Sequence, residues 1–163
     1  MTQKIAACIW YDLGQAKPAA DFYMSLGLAD SHIDGVHASP SDNPSTKAGE
    51  ELVVEFTLAG VSFLGLNGGP QFPQTEAISF QIYTDDQAET DRLWNAIVGN
   101  GGAESQCGWC KDRWGVNWQI TPKRLMDFYN DPNPLRAKAA FDAMMTMQKI
   151  DIAALEAAAA AVG

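Results

Sequence analysis

The sequence is poor in basic residues, and this shortage excludes several classes of partner. Eleven Lys and Arg stand against twenty Asp and Glu, which gives a formal net charge of −9 and a pI near 4.5. Nucleic acids and anionic membranes are bound by clustered positive charge, whereas the basic residues here are spread along the chain. We therefore expect neither nucleic acid nor membrane among the partners.

Long apolar runs and cysteines are scarce as well. No apolar run reaches the length that crosses a bilayer, and we predict no signal peptide in the first residues, MTQKIAACIWYDLG. Three cysteines, an odd number, predict the reduced thiols of a cytoplasmic protein. With 163 residues, 47% of them hydrophobic, the chain can bury one core, or two small modules that share one.

One order of elements occurs twice along the chain. A strand, a helix and three strands are predicted in residues 5–66, and the same order follows in residues 77–121. A shift of 72 in the numbering superimposes the first strands and helices, and a shift of 55 superimposes the last strands. The pattern predicts a duplicated β-α-β-β-β module. The superimposed pairs are Tyr11 with Tyr83, Phe22 with Trp94, and Phe63 with Trp118.

Helical signals dominate after Pro122. Asn133, followed by Pro134, and Asp151 are typical N-caps and predict two helices, the first running to about Gln148. A shorter helix is predicted before them. We expect three parts that form one compact unit: modules at residues 1–67 and 77–121 and a helical extension at 122–163. The predicted apolar stripe of the longer helix consists of Leu135, Ala139, Met144 and Met147.

Residues 106–122 hold three of the five tryptophans and two of the three cysteines, and they predict a strand, a tight turn and a returning strand. Cys107 and Cys110 have the C-x2-C spacing of a redox pair or of half a zinc site. Residues three apart in a strand point to opposite faces, and no second Cys/His pair occurs, so structural thiols are predicted. Cys8, within an apolar strand, is predicted to lie in the core.

Histidine and glycine supply few further candidates. His32 and His37 are five residues apart, which in a regular strand places them on opposite faces, and both are predicted to be surface residues. The segments 67–70 (NGGP) and 99–102 (GNGG) lack the strand–GxGxxG–helix context of phosphate binding and are predicted to be turns. This also argues against a dinucleotide or S-adenosylmethionine site of the Rossmann type.

Three segments carry a family resemblance: LNGGPQF followed by TEAISFQI, then CGW-x-KDRWGVNWQI-x-P, then MQKIDIAALEAA. They resemble the PhnB-like branch of the vicinal oxygen chelate (glyoxalase/bleomycin-resistance) superfamily. Some members of that branch carry the label 3-demethylubiquinone-9 3-methyltransferase. The resemblance implies an α+β fold in which two β-α-β-β-β modules form curved mixed sheets around a small-molecule cup, followed by C-terminal helices. We expect a homodimer.

Metal-using members of the superfamily bind a divalent ion through a His at the start of each module's first strand and a Glu in its last strand. The resemblance places the His positions at Ile5 and Ala77 and the Glu positions at Leu64 and Gln119. Only Gln119 carries a ligating atom, and an amide binds a dication weakly. We therefore expect neither a metal nor another cofactor, and we interpret the methyltransferase label as an inherited name.

The first functional hypothesis is a small-molecule-binding protein without the usual metal site. Its pocket would be lined by alternating polar residues of two strands, while Trp10 and Trp118 would pack beneath the helices. One alternative is a metal-independent lyase, isomerase or transferase that uses His37 or Glu55 beneath a lid at residues 39–49. Another is an assembly protein with a vestigial cup, and a solvated sheet face is the plain alternative for the polar residues. The predicted ligand-binding residues are Ser79, Gln81, Tyr83, Asn117, Gln119 and Thr121.

Overall fold

The chain divides into two compact units in the computed structural model, which describes residues 4–162. One unit ends at Gln74 and the other begins at Thr75, between the predicted modules at residues 1–67 and 77–121. The three-part division and the single compact unit stay predictions. The first unit contains β1 (Ala7–Tyr11), α1 (Ala16–Ser25), β2 (His32–Ala38), β3 (Glu51–Leu58) and β4 (Val61–Asn67). The second contains β5 (Phe80–Thr84), α2 (Gln87–Gly99), β6 (Ala103–Glu104), β7 (Trp109–Lys111), β8 (Asn117–Pro122), α3 (Lys123–Tyr129), α4 (Pro134–Met144) and α5 (Ile152–Ala160).

Each unit contains a four-stranded mixed sheet, and the two sheets have the same topology. The strand orders are β1-β4-β3-β2 and β5-β8-β7-β6, so the first strand of each module lies beside its last strand and parallel to it. The other neighbouring strands are antiparallel. The predicted α+β fold of two β-α-β-β-β modules followed by helices is therefore confirmed.

The repeat is present, but the predicted shift of 72 is wrong in detail. Ala7 pairs with Phe63 in the first sheet and Phe80 with Trp118 in the second, so the first strands correspond at a shift of 73 and the last strands at the predicted shift of 55. The buried positions of the helices correspond at a shift of 74, one more than the shift of the first strands. Those positions are Ala16, Ala19, Ala20 and Tyr23 in α1, and Thr90, Leu93, Trp94 and Ile97 in α2. The predicted pairs that this correction removes are Tyr11 with Tyr83 and Phe22 with Trp94.

Each helix covers one face of its sheet because the strands alternate buried and less buried residues. In β3, Phe56 and its neighbours two residues away are buried on the side where α1 packs. The helix approaches closely there, since a Cβ added to Gly65 would lie 3.0 Å from that of Ala16. In β8, Trp118 is 1% exposed on the side of α2, as predicted. We call the opposite side of each sheet its open face.

The hairpin of β7 and β8 turns around a buried carboxylate. Asp112 is 3% exposed, and its Oδ1 accepts hydrogen bonds from the backbone N–H groups of Trp114 and Val116 at 2.9 and 3.0 Å. Its Oδ2 accepts from the indole Nε1 of Trp118 at 2.9 Å. Three donors compensate the burial of this charge and fix the turn. The predicted strand, turn and strand are confirmed, although β8 includes Pro122.

The three C-terminal helices form an apolar cluster within the second unit. Gln87 of α2 binds the chain between α4 and α5, since its amide donates to the Ile150 carbonyl at 3.0 Å and accepts from the Ile152 N–H at 2.8 Å. Of the predicted apolar stripe, Met144 is buried at 4% exposure, whereas Leu135 is 60% exposed. The buried members of the cluster are Leu125, Phe128, Ala140, Met144, Ile150, Leu155 and Ala159.

The predicted helix starts are confirmed, and one predicted end is wrong. The side chains of Asn133 and Asp151 cap α4 and α5 by accepting backbone N–H bonds. Helix α4 ends at Met144 rather than near residue 148, because the carbonyls of residues 147 and 148 accept N–H bonds from residues 107 and 108, each at 2.7 Å. No helix within residues 4–162 combines the length and the apolarity needed to span a membrane.

Candidate ligand-binding face

The polar residues predicted to bind a ligand share the open face of the second sheet. The strand register places Gln81 opposite Gln119 and Tyr83 opposite Thr121, on the side away from Trp118. The structure therefore brings the predicted residues together, and their binding of a ligand stays a prediction. The two remaining members follow the same alternation of strand residues: Ser79 and Asn117.

Hydrogen bonds orient the side chains on this face. The Nε2 of Gln81 donates to Oγ1 of Thr121, and the Nε2 of Gln119 donates to Oγ of Ser79, each at 2.9 Å. The hydroxyl of Tyr83 lies 3.5 Å from Oε1 of Gln81, which is long for a hydrogen bond. An amide with one donor engaged keeps its other donor and its carbonyl oxygen in fixed directions. The face therefore presents pre-oriented donors and acceptors.

Burial varies across the same face. Asn117 is 6% exposed and Thr121 is 5% exposed, whereas Tyr83 is 51% exposed. The Nδ2 of Asn117 donates to the Gly115 carbonyl at 3.3 Å. A uniformly solvated sheet face would leave all of these side chains open to water. The face instead combines a buried polar floor with an exposed aromatic ring.

Two residues of β7 extend the face and were not predicted from the sequence. Trp109 lies opposite Gln119, and Lys111 lies opposite Asn117. The Nζ of Lys111 is 3.5 Å from Oε1 of Glu76, and the pKa of Glu76 is lowered by its own backbone N–H and then by this lysine. The positions of both residues could have been predicted from strand alternation. A strand that places Cys110 on the helix side places its two neighbours on the open face.

The open face of the first sheet includes Cys8 and Trp10, both of which were predicted to be elsewhere. Ile9 and Tyr11 occupy the helix side of β1 at 4% and 2% exposure. Alternation then places Cys8 and Trp10 on the other side, where Cys8 is exposed. The predictions of a core position for Cys8 and of a position beneath a helix for Trp10 are wrong.

Trp10 is covered by the chain that follows β4. Its Nε1 donates to the Gly69 carbonyl at 2.7 Å, and the Phe72 ring meets it edge-on at a centroid distance of 4.9 Å. A Cβ on Gly68 would lie 2.2 Å from the indole, so only glycine permits this approach. The predicted turn at residues 67–70 is therefore also a cap on Trp10.

Both histidines lie on the same face of the first sheet, contrary to prediction. An irregularity at Asp34 shifts the register of edge strand β2, so that His32 pairs with Thr57 and His37 with Val53. Thr57 and Val53 are four residues apart and share the open face. The one bulged residue in β2 therefore places the two histidines on the same side of the sheet, although they are five residues apart. The predicted surface position is confirmed, since the side chains of His32 and His37 are 55% and 57% exposed.

Each histidine faces a carboxylate. The Nε2 of His37 lies 3.4 Å from Oε1 of Glu55, and the Nε2 of His32 lies 3.2 Å from Oδ1 of Asp34. The side chain of Glu55 is 25% exposed, on the same open face as His37. The structure thus joins the two residues that were considered separately as acid/base groups.

The loop at residues 39–49 is closely bonded. Ser39 closes it, donating its N–H to the Glu50 carbonyl at 2.7 Å and accepting from the Gly49 N–H at 2.8 Å. Inside the loop, the Nδ2 of Asn43 donates to Oγ of Ser39 at 2.9 Å and to Oγ1 of Thr46 at 2.7 Å. Opening this loop as a lid would break these bonds.

The family positions for a metal do not fit a metal in this chain. Ile5 and Ala77 precede their strands as exposed apolar residues, and Leu64 is a hydrocarbon. Gln119 has a ligating oxygen, but its amide nitrogen is bonded to Ser79. Within residues 4–162, no group of three or more His, Cys, Asp or Glu side chains is close enough to hold an ion.

Cys107 and Cys110 lie in different surroundings. Cys107 and Gly108 have φ angles of +58° and +82°, which supply the bend that a shared site would need. The Sγ of Cys107 nevertheless lies 3.8 Å from Sδ of Met145, beside the C-terminal helices. Cys110 is 1% exposed, and its burial, with Asp112 and then Glu104 adding, raises its pKa to about 12. That thiol stays protonated at neutral pH and is unsuited to redox chemistry.

Two four-stranded mixed sheets built from repeated β-α-β-β-β modules define the class of protein, the glyoxalase/bleomycin-resistance fold of the vicinal oxygen chelate superfamily. The family follows from the sequence itself. The chain belongs to the 3-demethylubiquinone-9 3-methyltransferase family, whose model matches residues 3–121.

The chain is similar to several solved structures. The PhnB protein from Bacillus cereus is 27% identical with a TM-score of 0.64, and the match covers 74% of this chain and 99% of that one. The protein PA1353 from Pseudomonas aeruginosa is 18% identical with a TM-score of 0.53, over 74% and 98% of the two chains. A glyoxalase/bleomycin resistance protein from Albidiferax ferrireducens is 14% identical with a TM-score of 0.42, over 69% and 94%. The comparison with curated proteins finds no match.

Proposed function

We propose that the chain binds a small, uncharged, polar molecule on the open face of its second sheet, without a metal ion. The observation that carries the proposal is the hydrogen-bonded pairing of Gln81 with Thr121 and of Gln119 with Ser79 on one partly buried face. A site whose amides are already oriented loses little conformational entropy when a ligand binds.

The chemistry of the face indicates the kind of ligand. The six polar residues are amides and hydroxyls, and the charge of the neighbouring Lys111 is opposed by Glu76. Trp109 and Tyr83 supply ring surfaces at two edges of the set. A molecule with hydroxyl or amide groups and one flat apolar side would match this pattern.

A thermal-shift screen of small polar metabolites tests the proposal, with Gln119→Leu and Gln148→Leu as matched variants. Gln148 is exposed and lies outside the face. A compound that raises the melting temperature of the wild type and of Gln148→Leu, but not of Gln119→Leu, supports the proposal. Equal stabilisation of all three proteins would contradict it, as would stoichiometric bound Zn, Ni or Mn in purified protein.

A metal-independent enzyme is the second candidate, and the His37–Glu55 pair favours it. A histidine within 3.4 Å of a carboxylate can exchange a proton with a bound molecule, while the carboxylate orients the ring. Neither glycine-rich turn opens a helix, which gives no support to a cofactor-dependent methyl transfer of the Rossmann type.

We also infer a cytoplasmic location from the three free thiols.

Turnover of the compound found in the screen separates the two candidates. The enzyme hypothesis predicts that the wild type converts the compound, as followed by NMR, and that Glu55→Gln and His37→Gln do not. His32→Gln serves as the control, since His32 pairs with Asp34 instead. A compound that stays unchanged in the presence of the wild type would leave binding as the function.

A further inference from the structure

One charged residue lies on the open face of the second sheet. Among the strand residues that share this face in the described part of the chain, only Lys111 carries a formal charge. It lies opposite Asn117 of β8 and two positions from Trp109 along β7. Side chains two positions apart in a strand share a face at a spacing of about 7 Å. A molecule bound against Trp109 therefore lies within reach of the Lys111 ammonium group.

This lysine already has a carboxylate partner from its own chain. An unopposed ammonium group attracts a carboxylate by its charge and by direct hydrogen bonds. The Nζ of Lys111, however, lies 3.5 Å from Oε1 of Glu76. The two side chains are 47% and 68% exposed, which leaves both of them accessible to a ligand.

The turn before β5 holds Glu76 in this position. The N–H of Ala77 donates to Oγ1 of Thr75 at 3.4 Å, and the Glu76 carboxylate accepts a hydrogen bond from its own backbone N–H. That bond, followed by the charge of Lys111, lowers the pKa of Glu76. The carboxylate therefore stays ionised at neutral pH. Both partners belong to the unit that begins at Thr75.

We propose that Glu76 determines the charge specificity of the open face, because it occupies Lys111 and thereby favours uncharged ligands over anionic ones. The inference rests on the binding site proposed above and adds the residue that selects among its ligands. An anionic ligand that bonds to Lys111 must first displace Glu76, whereas an uncharged ligand leaves the ion pair in place. Rejection of the wrong ligand by a like charge is a common source of specificity.

The selection is electrostatic and moderate in size. An exposed ion pair is solvated and screened by salt, so the need to displace Glu76 weakens the binding of an anion by about fivefold. The net charge of −9 opposes anions as well. Because the effect depends on charge, it should shrink at high ionic strength, whereas a steric effect would not.

Benzamide and benzoate are suitable probes, since they share a size and a flat ring and differ in charge. Each is titrated at constant ionic strength and pH 7 into the isotope-labelled full chain, and the backbone amide shifts of residues 79–83 and 117–121 give the dissociation constants. We expect the wild type to prefer benzamide, and Glu76→Gln to change the ratio of the two constants about fivefold in favour of benzoate. Asp127→Asn is the matched control, because it removes the same charge from an ion pair with Arg124 and should leave the ratio unchanged.

Lys111→Met tests whether Glu76 acts through the lysine. In that background Glu76 has no lysine to occupy, so Glu76→Gln should change the ratio by less than about twofold. An effect of equal size with and without Lys111 would show that Glu76 only repels anions directly, and it would overturn the proposal. The effect of Glu76→Gln in the presence of Lys111 should also shrink at about 0.5 M salt, and an unchanged effect there would contradict its electrostatic origin.

The same titrations distinguish a failure of this inference from a failure of the proposed function. Binding of both probes at residues 79–83 and 117–121, with one ratio in the wild type, Glu76→Gln and Asp127→Asn, would overturn the inference and leave the binding site in place. Absence of shifts at these residues with either probe, in all of the proteins, would contradict the proposed site and the inference together.

Discussion

The two modules share one topology but have different open faces. In the first sheet, Leu64 and Leu66 flank the His37–Glu55 pair, and the chain that follows β4 caps Trp10. In the second sheet, the residue equivalent to Leu64 is Gln119, which belongs to a network of amides and hydroxyls. The helix sides, by contrast, are mostly apolar in both modules.

This difference separates what holds the fold from what gives it a function. The helix side must exclude water beneath α1 or α2, so its residues are mostly apolar and its few polar groups are hydrogen-bonded. The open face bears no such constraint from its own helix, and each copy of the module is free to carry its own chemistry there. Changes on the helix side should therefore affect stability and reactivity differently from changes on the open face.

Thiol reactivity should show the largest contrast. At pH 8 roughly one Cys110 thiol in 10,000 is ionised, given its pKa of about 12. Cys8 is exposed on the open face, although desolvation raises its pKa too. We expect a disulfide reagent to modify Cys8 at least about 100-fold faster than Cys110, as followed by mass spectrometry of peptides. Equal rates in the folded protein would refute the assignment of faces.

The raised pKa of Cys110 also predicts that the protein loses stability at alkaline pH. The folded-state pKa of Cys110 is the raised one, so its contribution to stability is present below the ordinary thiol pKa and is lost as the pH rises toward about 12. The urea midpoint should therefore fall above about pH 9, and it should fall less in Cys110→Ala. A fall of equal size in the variant would show that other groups cause it.

Tryptophan truncation should give the next largest effect. Trp118→Ala removes a fully buried side chain and a donor to buried Asp112, so it should cost about 3–5 kcal/mol of unfolding free energy. Trp10→Ala removes a half-buried ring on the open face and should cost about 1–2 kcal/mol. Urea denaturation followed by far-UV circular dichroism measures both. A greater loss from Trp10→Ala would reverse the comparison.

Hydroxyl pairs on the helix sides should contribute less. The hydroxyls of Tyr11 and Tyr23 are 3.0 Å apart, and those of Thr84 and Thr90 are 2.6 Å apart, all buried. Tyr11→Phe and Thr84→Val should each cost about 1 kcal/mol in the same denaturation experiment. The open-face control, Tyr83→Phe, should cost less than about 0.5 kcal/mol.

The His37–Glu55 pair should have the smallest effect on stability. Its histidine is 57% exposed at a sheet edge, where ion pairs are solvated. We expect His37→Ala to change the unfolding free energy by less than about 0.5 kcal/mol at pH 6 and at pH 8. A loss of more than about 2 kcal/mol, well beyond the usual effect of a surface substitution, would assign the pair a structural role that the comparison denies.

The helix-side pattern was readable from the sequence because it is periodic. Phe56, Trp118 and the buried positions of the helices follow the two-residue and 3.6-residue periods, and the caps at Asn133 and Asp151 follow local chemistry. The six polar residues of the second open face were found in the same way, from alternation within β5 and β8.

The errors arose where a small local change alters which side of a strand a residue faces or which positions of the two modules correspond. The irregularity at Asp34 reversed the side of the sheet that His37 faces, and the repeat shifts of 73 for the first strands and 74 for the buried helix positions exceed the predicted shift of 72 by one and two positions. In β1, a run of apolar residues left the faces ambiguous, so that Cys8 and Trp10 were assigned to the wrong side. Such local changes in register depend on backbone conformations that neighbouring segments impose.

Mapping the bound ligand by NMR tests the central claim most directly. The compound found by thermal shift is titrated into isotope-labelled wild-type protein, and the backbone amide shifts are followed. We predict that the largest changes fall at residues 79–83 and 117–121, with smaller ones at Trp109, and that Gln119→Leu abolishes them. Changes centred on β2 and β3 around His37 and Glu55, with normal binding to Gln119→Leu, would contradict the claim and transfer the function to the first sheet.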